Sequence, residues 1–245
     1  VGEEVVRMLL DAPGAPFSVH NIVAQGERFG VQARRWAGPF AVCKALETLV
    51  NLHRPGGLQC VVAADPCGGV PTVYKGLIAE KVWDCRADAS LLLLLPVTLG
   101  LDGRVPTEYH EQLPRIFTFP QSLGIAGGSG GSSLYFVGIQ EGRLLYLDPH
   151  TVHQSAVEAP DLATYVCPEI QHMALRGVDP SLAMGFYCHS RAAFEELCFR
   201  LNLFQVEHRR PLALVKEGHP LQQGWSAEED THFALDESDE EWELV

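Results

Sequence analysis

Residues 134–140 (LYFVGIQ) and 143–148 (RLLYLD) are two strand-like runs separated only by Glu141 and Gly142. So compact a connection suits a β-hairpin, which commits this part of the chain to local antiparallel pairing. Helical spacing appears on either side of it. Val42, Leu46 and Leu49 or Val50 recur at helical intervals within residues 40–52, with Gly38 and Pro39 at the start, where proline is tolerated. Residues 191–204 (RAAFEELCFRLNLF) repeat the pattern through Phe194, Leu197, Cys198 and Leu201. The apolar run 91–95 is stopped by Pro96 and is short enough to favour a strand. Helices and hairpins in mixed order, without regular alternation and without an internal repeat, predict an α+β fold rather than a doubly wound parallel sheet.

The 245 residues suffice for one sizeable domain, and 47% hydrophobic content supplies its core. Apolar periodicity fades near residue 217. We therefore read residues 1–216 as a folded body and residues 217–245 as an acidic tail that buries too little surface to order itself. The net charge of −13 reflects this division. Nine acids fall within the last eighteen residues, and without them the body carries 22 acids against 18 bases, a net −4. The body lacks the basic footprint that nucleic-acid binding requires. The longest apolar run, residues 91–101, is interrupted by Pro96 and falls short of a membrane-spanning helix, so no transmembrane segment is expected. The chain opens at Val1 without a Met or a signal-like core, which suggests a fragment whose targeting segment, if any, lies upstream. Seven cysteines, an odd number with no CxxC pair, read as reduced thiols and point to a cytoplasmic location.

Asp148-Pro149-His150 closes the second hairpin strand. In an extended chain, residues i and i+2 share a face, which would set a carboxylate beside an imidazole and let it fix the tautomer of a general base. Asp-Pro also initiates turns, and by pattern alone the same residues read first as a turn. His150, His153 and Asp148 fall short of a zinc site without a second ligand cluster, and no metal or cofactor is expected. The glycine-rich stretch 124–133 (GIAGGSGGSS) runs into the first hairpin strand. It fits neither a Walker A loop nor a dinucleotide fingerprint. Two readings stay open: a flexible connector, or a mobile loop over a site. Trp36, before the first predicted helix, is either a core aromatic or part of a site.

Five ordered motifs resemble one family: Phe17-Ser18-Val19-His20-Asn21, Trp36-Ala37-Gly38-Pro39-Phe40-Ala41-Val42-Cys43, Thr118-Phe119-Pro120-Gln121-Ser122-Leu123-Gly124-Ile125, Tyr146-Leu147-Asp148-Pro149-His150, and residues 179–188 (DPSLAMGFYC). In order and spacing they resemble the autophagy-related 4 cysteine proteases, the autophagins, from about residue 15 onward and with a plant or algal flavour. The resemblance implies a papain-like α+β fold whose N-terminal part is missing here. It also implies a Cys-His-Asp thiol protease that processes a ubiquitin-like autophagy modifier after a glycine and releases it from phosphatidylethanolamine, meeting membranes only through that lipidated substrate. By the same resemblance Asp148 and His150 match the catalytic pair, and Trp36 the tryptophan beside the active-site entrance. Gly127, Gly128, Ser129, Gly130 and Gly131 match the loop that gates it, where animal members carry a proline in place of Gly130. The family nucleophile sits in a Gly-Trp-Gly-Cys segment that opens a helix, and no such segment occurs in this sequence. Cys43 matches a position that is not catalytic. Trp242 and Val245, three apart and preceded by acids, fit the aromatic-x-x-aliphatic motif by which autophagy proteins dock onto the same modifier. A merely solubilising tail is the alternative. The sequence is thus expected to be part of a cysteine protease, or else a truncated paralogue that only binds the modifier.

Overall fold

The computed structural model describes residues 2–32, 35–65, 69–84, 86–150, 166–167 and 169–218. Within them the helices are α1 (Glu3–Arg7), α2 (Val19–Gly26), α3 (Pro39–His53), α4 (Lys75–Trp83), α5 (Gln112–Ile116) and α6 (Arg191–Glu207). The strands are β1 (Leu58–Val62), β2 (Thr72–Tyr74), β3 (Ser90–Thr98), β4 (Ser122–Ser129), β5 (Ser132–Gln140), β6 (Arg143–Leu147), β7 (Gln171–Ala174), β8 (Ser181–Cys188) and β9 (Leu214–Lys216). A seven-stranded sheet runs β1-β3-β8-β4-β5-β6-β7, while β2 and β9 pair separately. Within the large sheet β1 and β3 are parallel and the other pairs antiparallel, which makes the fold α+β.

Period-two alternation divides the sheet into two unlike faces. Leu91, Leu93, Leu95 and Val97 of β3, with Leu182, Met184 and Phe186 of β8, enter the main core, where Phe194, Leu197, Leu201 and Phe204 of α6 meet them. On the opposite face Leu92 and Leu94 join Cys43, Leu46 and Val50 of α3. β8 presents Ser181, Ala183 and Gly185 to that second face, so the floor beyond α3 is built of small residues.

Helix ends follow the sequence closely. Pro39 occupies the first turn of α3, where its missing N–H costs nothing. Ser18 and Ser190 cap α2 and α6 by accepting hydrogen bonds from Asn21 N–H and Ala193 N–H. The hairpin at residues 141–142 forms as expected, with Glu141 at φ 50° and Gly142 at φ 73°, the left-handed pair of a two-residue turn.

Two expectations are corrected. Pro96 does not stop its strand: β3 continues to Thr98, with Pro96 opposite Ala183. Ala63 N–H donates to Leu94 O at 3.0 Å, so even-numbered residues of β3 turn their backbone groups toward β1. β1 ends opposite Leu94, and the missing N–H of Pro96 falls where no strand needs it. The glycine-rich stretch is neither a connector nor an open loop, because most of it is strand β4, paired with both β5 and β8. Crowding explains its composition. A Cβ on Gly124 would lie 2.4 Å from Phe136 O, and one on Gly127 would lie 2.4 Å from Leu182 Cδ2. The chain turns back at Gly130 and Gly131, at φ 58° and 87°. Residues 219–245, with Trp242 and Val245, lie outside the described residues, as does His153.

Candidate active site

Asp148 directly follows β6, where the chain leaves the sheet and turns through Pro149 and His150. The two side chains meet, with His150 Nδ1 2.6 Å from Asp148 Oδ1. They meet through a turn and not along an extended strand. The same carboxylate oxygen accepts the His150 backbone N–H at 3.0 Å, closing an Asx-type turn. The turn and the carboxylate–imidazole pair are therefore one structure. The backbone N–H of His150, and then its imidazole, hold the Asp148 carboxyl below the usual carboxylate range. With Nδ1 donating to Asp148, Nε2 is left to exchange a proton with a third group.

A groove of about 390 Å3 opens on the small-residue face of the sheet. Val42, Cys43 and Leu46 of α3, Ala126, Ala183 and Gly185 of the sheet, and Trp36 and Ala37 line it. Gly127, Ser133 and Leu134 of the β4–β5 hairpin also line it. Tyr135, which lines the groove, pairs with Leu147, the residue immediately before Asp148. Trp36 is 63% exposed, which removes the core-aromatic reading and leaves its ring available to a ligand. Gly127, Gly128 and Ser129 belong to β4, and Gly130 and Gly131 form its turn.

The buried cysteines are unsuited to attack. Burial, and secondarily the charge of Glu47, pushes the Cys43 thiol up to about 12, and burial pushes Cys188 up to about 12. Cys60 and Cys198 are raised by the same cause. Such thiols stay protonated at neutral pH and are poor nucleophiles. Cys167 is exposed and its Sγ lies 3.1 Å from Glu169 O, while Cys67 and Cys85 lie outside the described residues.

The small-residue floor was not anticipated, although its signal is plain in the alternation of Ser181, Ala183 and Gly185 with Leu182, Met184 and Phe186. Asp179, read from sequence only as the first residue of a motif, makes contacts that were not foreseen. Its backbone N–H donates to Gly128 O at 2.9 Å, and its Oδ1 accepts from Gly130 N–H at 3.4 Å.

A mixed sheet carrying a helix and a groove on one face, with a carboxylate–imidazole pair just past the end of one strand, is consistent with the fold of the papain-like cysteine peptidases. The family profile of the peptidase C54 catalytic domain matches residues 2–200. "Cysteine protease ATG4A" of Oryza sativa subsp. indica is 35% identical over 280 residues, covering 98% of this chain and 59% of the relative. "Cysteine protease ATG4b" of Arabidopsis thaliana is 32% identical over 99% of this chain and 56% of its own length, and "Cysteine protease ATG4C" of Homo sapiens 32% over 88% and 49%. This chain belongs to the peptidase C54 family, the ATG4 cysteine proteases. It spans between about half and three-fifths of the length of these relatives.

Proposed function

We propose that this chain supplies the Asp–His half of a thiol protease that cleaves a ubiquitin-like autophagy modifier after a glycine. The 2.6 Å contact between His150 and Asp148, immediately after the residue that pairs with groove-lining Tyr135, carries the proposal. A cysteine on a segment outside these 245 residues, seated on the floor of Ser181, Ala183 and Gly185, provides the nucleophile. Small side chains there let another backbone approach the sheet closely. His150 accepts the thiol proton and Asp148 stabilises the imidazolium so formed. The thiolate attacks the glycine carbonyl, His150 returns its proton to the departing amine, and water hydrolyses the acyl-enzyme. That amine is a peptide nitrogen in the precursor and the headgroup nitrogen of phosphatidylethanolamine in the lipidated form. No metal or other cofactor enters this scheme, and Trp36 and the β4–β5 hairpin flank the path of the extended modifier tail.

The acidic tail serves the same partner. Trp242 and Val245 dock onto the modifier by strand addition, and the surrounding acids hasten encounter with a basic groove. The protein acts in the cytoplasm and meets membranes through its lipidated substrate. Among the described residues no helix is long and apolar enough to cross a membrane.

The test is to incubate the full-length protein with modifier precursor and follow release of the C-terminal extension by mass spectrometry. Wild-type protein should cleave after the glycine, and His150→Ala should lose about 100-fold or more of the rate. Undiminished cleavage by His150→Ala would reject His150 as the base. Binding without cleavage by wild-type protein would support the binding-only reading.

A further inference from the structure

We propose that Asp179 is a positioning residue that latches the tip of the β4–β5 hairpin and so sets one wall of the groove. The inference rests on the reading of that groove as the path of the modifier tail. Asp179 engages the hairpin three times. Its backbone N–H donates to Gly128 O at 2.9 Å, two residues past the last β4–β8 register pair on β4 and outside that register. Its Oδ1 accepts the N–H of Gly130 at 3.4 Å, inside the turn itself. Its Oδ2 lies 2.5 Å from where a Cβ on Gly128 would stand, so the carboxylate occupies space that only glycine leaves free.

The latch is anchored at its other end. Val178 is buried, Val105 N–H donates to Val178 O at 3.1 Å, and Leu99 N–H donates to Pro180 O at 3.0 Å. The hairpin needs such an anchor. Its turn consists of Gly130 and Gly131, both at positive φ, and glycines give up more backbone freedom on ordering than other residues. Ser129 and Ser132, the last pair of the ladder, and Ser133, opposite Gly128, contribute little packing. Gly127 and Ser133, on either side of this tip, line the groove, and a held tip spares a ligand the entropy of ordering that wall. The bond to Gly130 is long and exposed, so the tip is restrained without being frozen.

Hydrogen exchange on the full-length protein tests the latch without requiring catalysis. Asp179→Ala should speed amide exchange at residues 129–133 by about 2- to 10-fold, the range expected for one lost hydrogen bond. Asp179→Asn, which keeps an acceptor oxygen, should preserve most of the protection. Gly128→Ala should reproduce the fast exchange by displacing the carboxylate. With modifier precursor as substrate, Asp179→Ala should raise KM by a similar factor while kcat stays within about twofold. Unchanged exchange at the tip overturns the proposal, as does an unchanged or lower KM. Equal acceleration at residues 91–95 of β3 would assign Asp179 to general stability and also overturn it. Local acceleration in a protein that cleaves nothing would uphold the latch while removing the protease reading.

Discussion

Asp148 and His150 show how one short segment meets a structural and a chemical demand together. The carboxylate that closes the turn by accepting His150 N–H also orients the imidazole. Its carboxyl pKa is lower in the folded protein than in the free chain. The charged form is then favoured by folding, and the pair's contribution is present above the unfolded value of about 3.9 and lost as pH falls through the lower folded value. Carbon-13 titration of the Asp148 carboxyl should give a midpoint below that of a model peptide, and a midpoint at or above it would contradict the pairing. His150→Ala should raise the midpoint toward the model value without abolishing the shift, because its backbone N–H remains. Here the sequence pointed to the contact and misled about its geometry. Spacing predicts two side chains on one face of a strand, whereas Pro149 and the Asx-type turn bring them together after the strand has ended.

At the edge of the sheet, α3 does more than cover a face. Its Asn51 donates to Cys60 O and accepts from Cys60 N–H, both at 2.8 Å, and Glu47 accepts from Val62 N–H at 3.0 Å. These side chains satisfy backbone groups on the outer side of β1, the side that would otherwise template pairing with another chain. Asn51→Ala should destabilise the fold by about 1–3 kcal/mol through the unsatisfied Cys60 groups, readable as a lower denaturation midpoint. A change within experimental error would show that water replaces Asn51. Crowding in β4 gives a second expectation. Gly124 adopts φ +102° against Phe136 O, so Gly124→Ala should cost about 1–3 kcal/mol from backbone conformation alone. Gly138→Ala, whose Cβ would meet nothing closer than 3.7 Å, should cost much less. Helices α3 and α6 and the β5–β6 hairpin were legible because periodicity and a two-residue turn encode them locally. β4 was not, since its glycines answer to neighbours on β5 and β8 that are remote in sequence. Pro96 misled for the same reason: whether a proline breaks a strand depends on where the neighbouring strand ends.

For the molecule as a whole, the charge distribution separates a nearly balanced body from an acidic terminus. A peptide of the last ten residues should bind the modifier more weakly as salt rises, and Trp242→Ala with Val245→Ala should remove that binding. Unaltered affinity in the double variant would reduce the tail to a solubilising role. The body's own thiols sharpen the catalytic question, because Cys43, Cys60, Cys188 and Cys198 are buried and raised in pKa. They should react slowly with iodoacetamide until the protein unfolds. The motif likeness reached the family because it drew on the whole chain, while the small-residue floor became visible only once β8 and β4 lay side by side. If that floor seats a cysteine served by His150, alkylation of that cysteine in the full-length protein, followed peptide by peptide across pH, will reveal a thiolate paired with an imidazolium. The wild-type profile should rise at a pH well below the free-thiol value of about 8.5, and His150→Ala should move it up toward that value. The same profile in both proteins would contradict the assignment of His150 as the partner of the nucleophile.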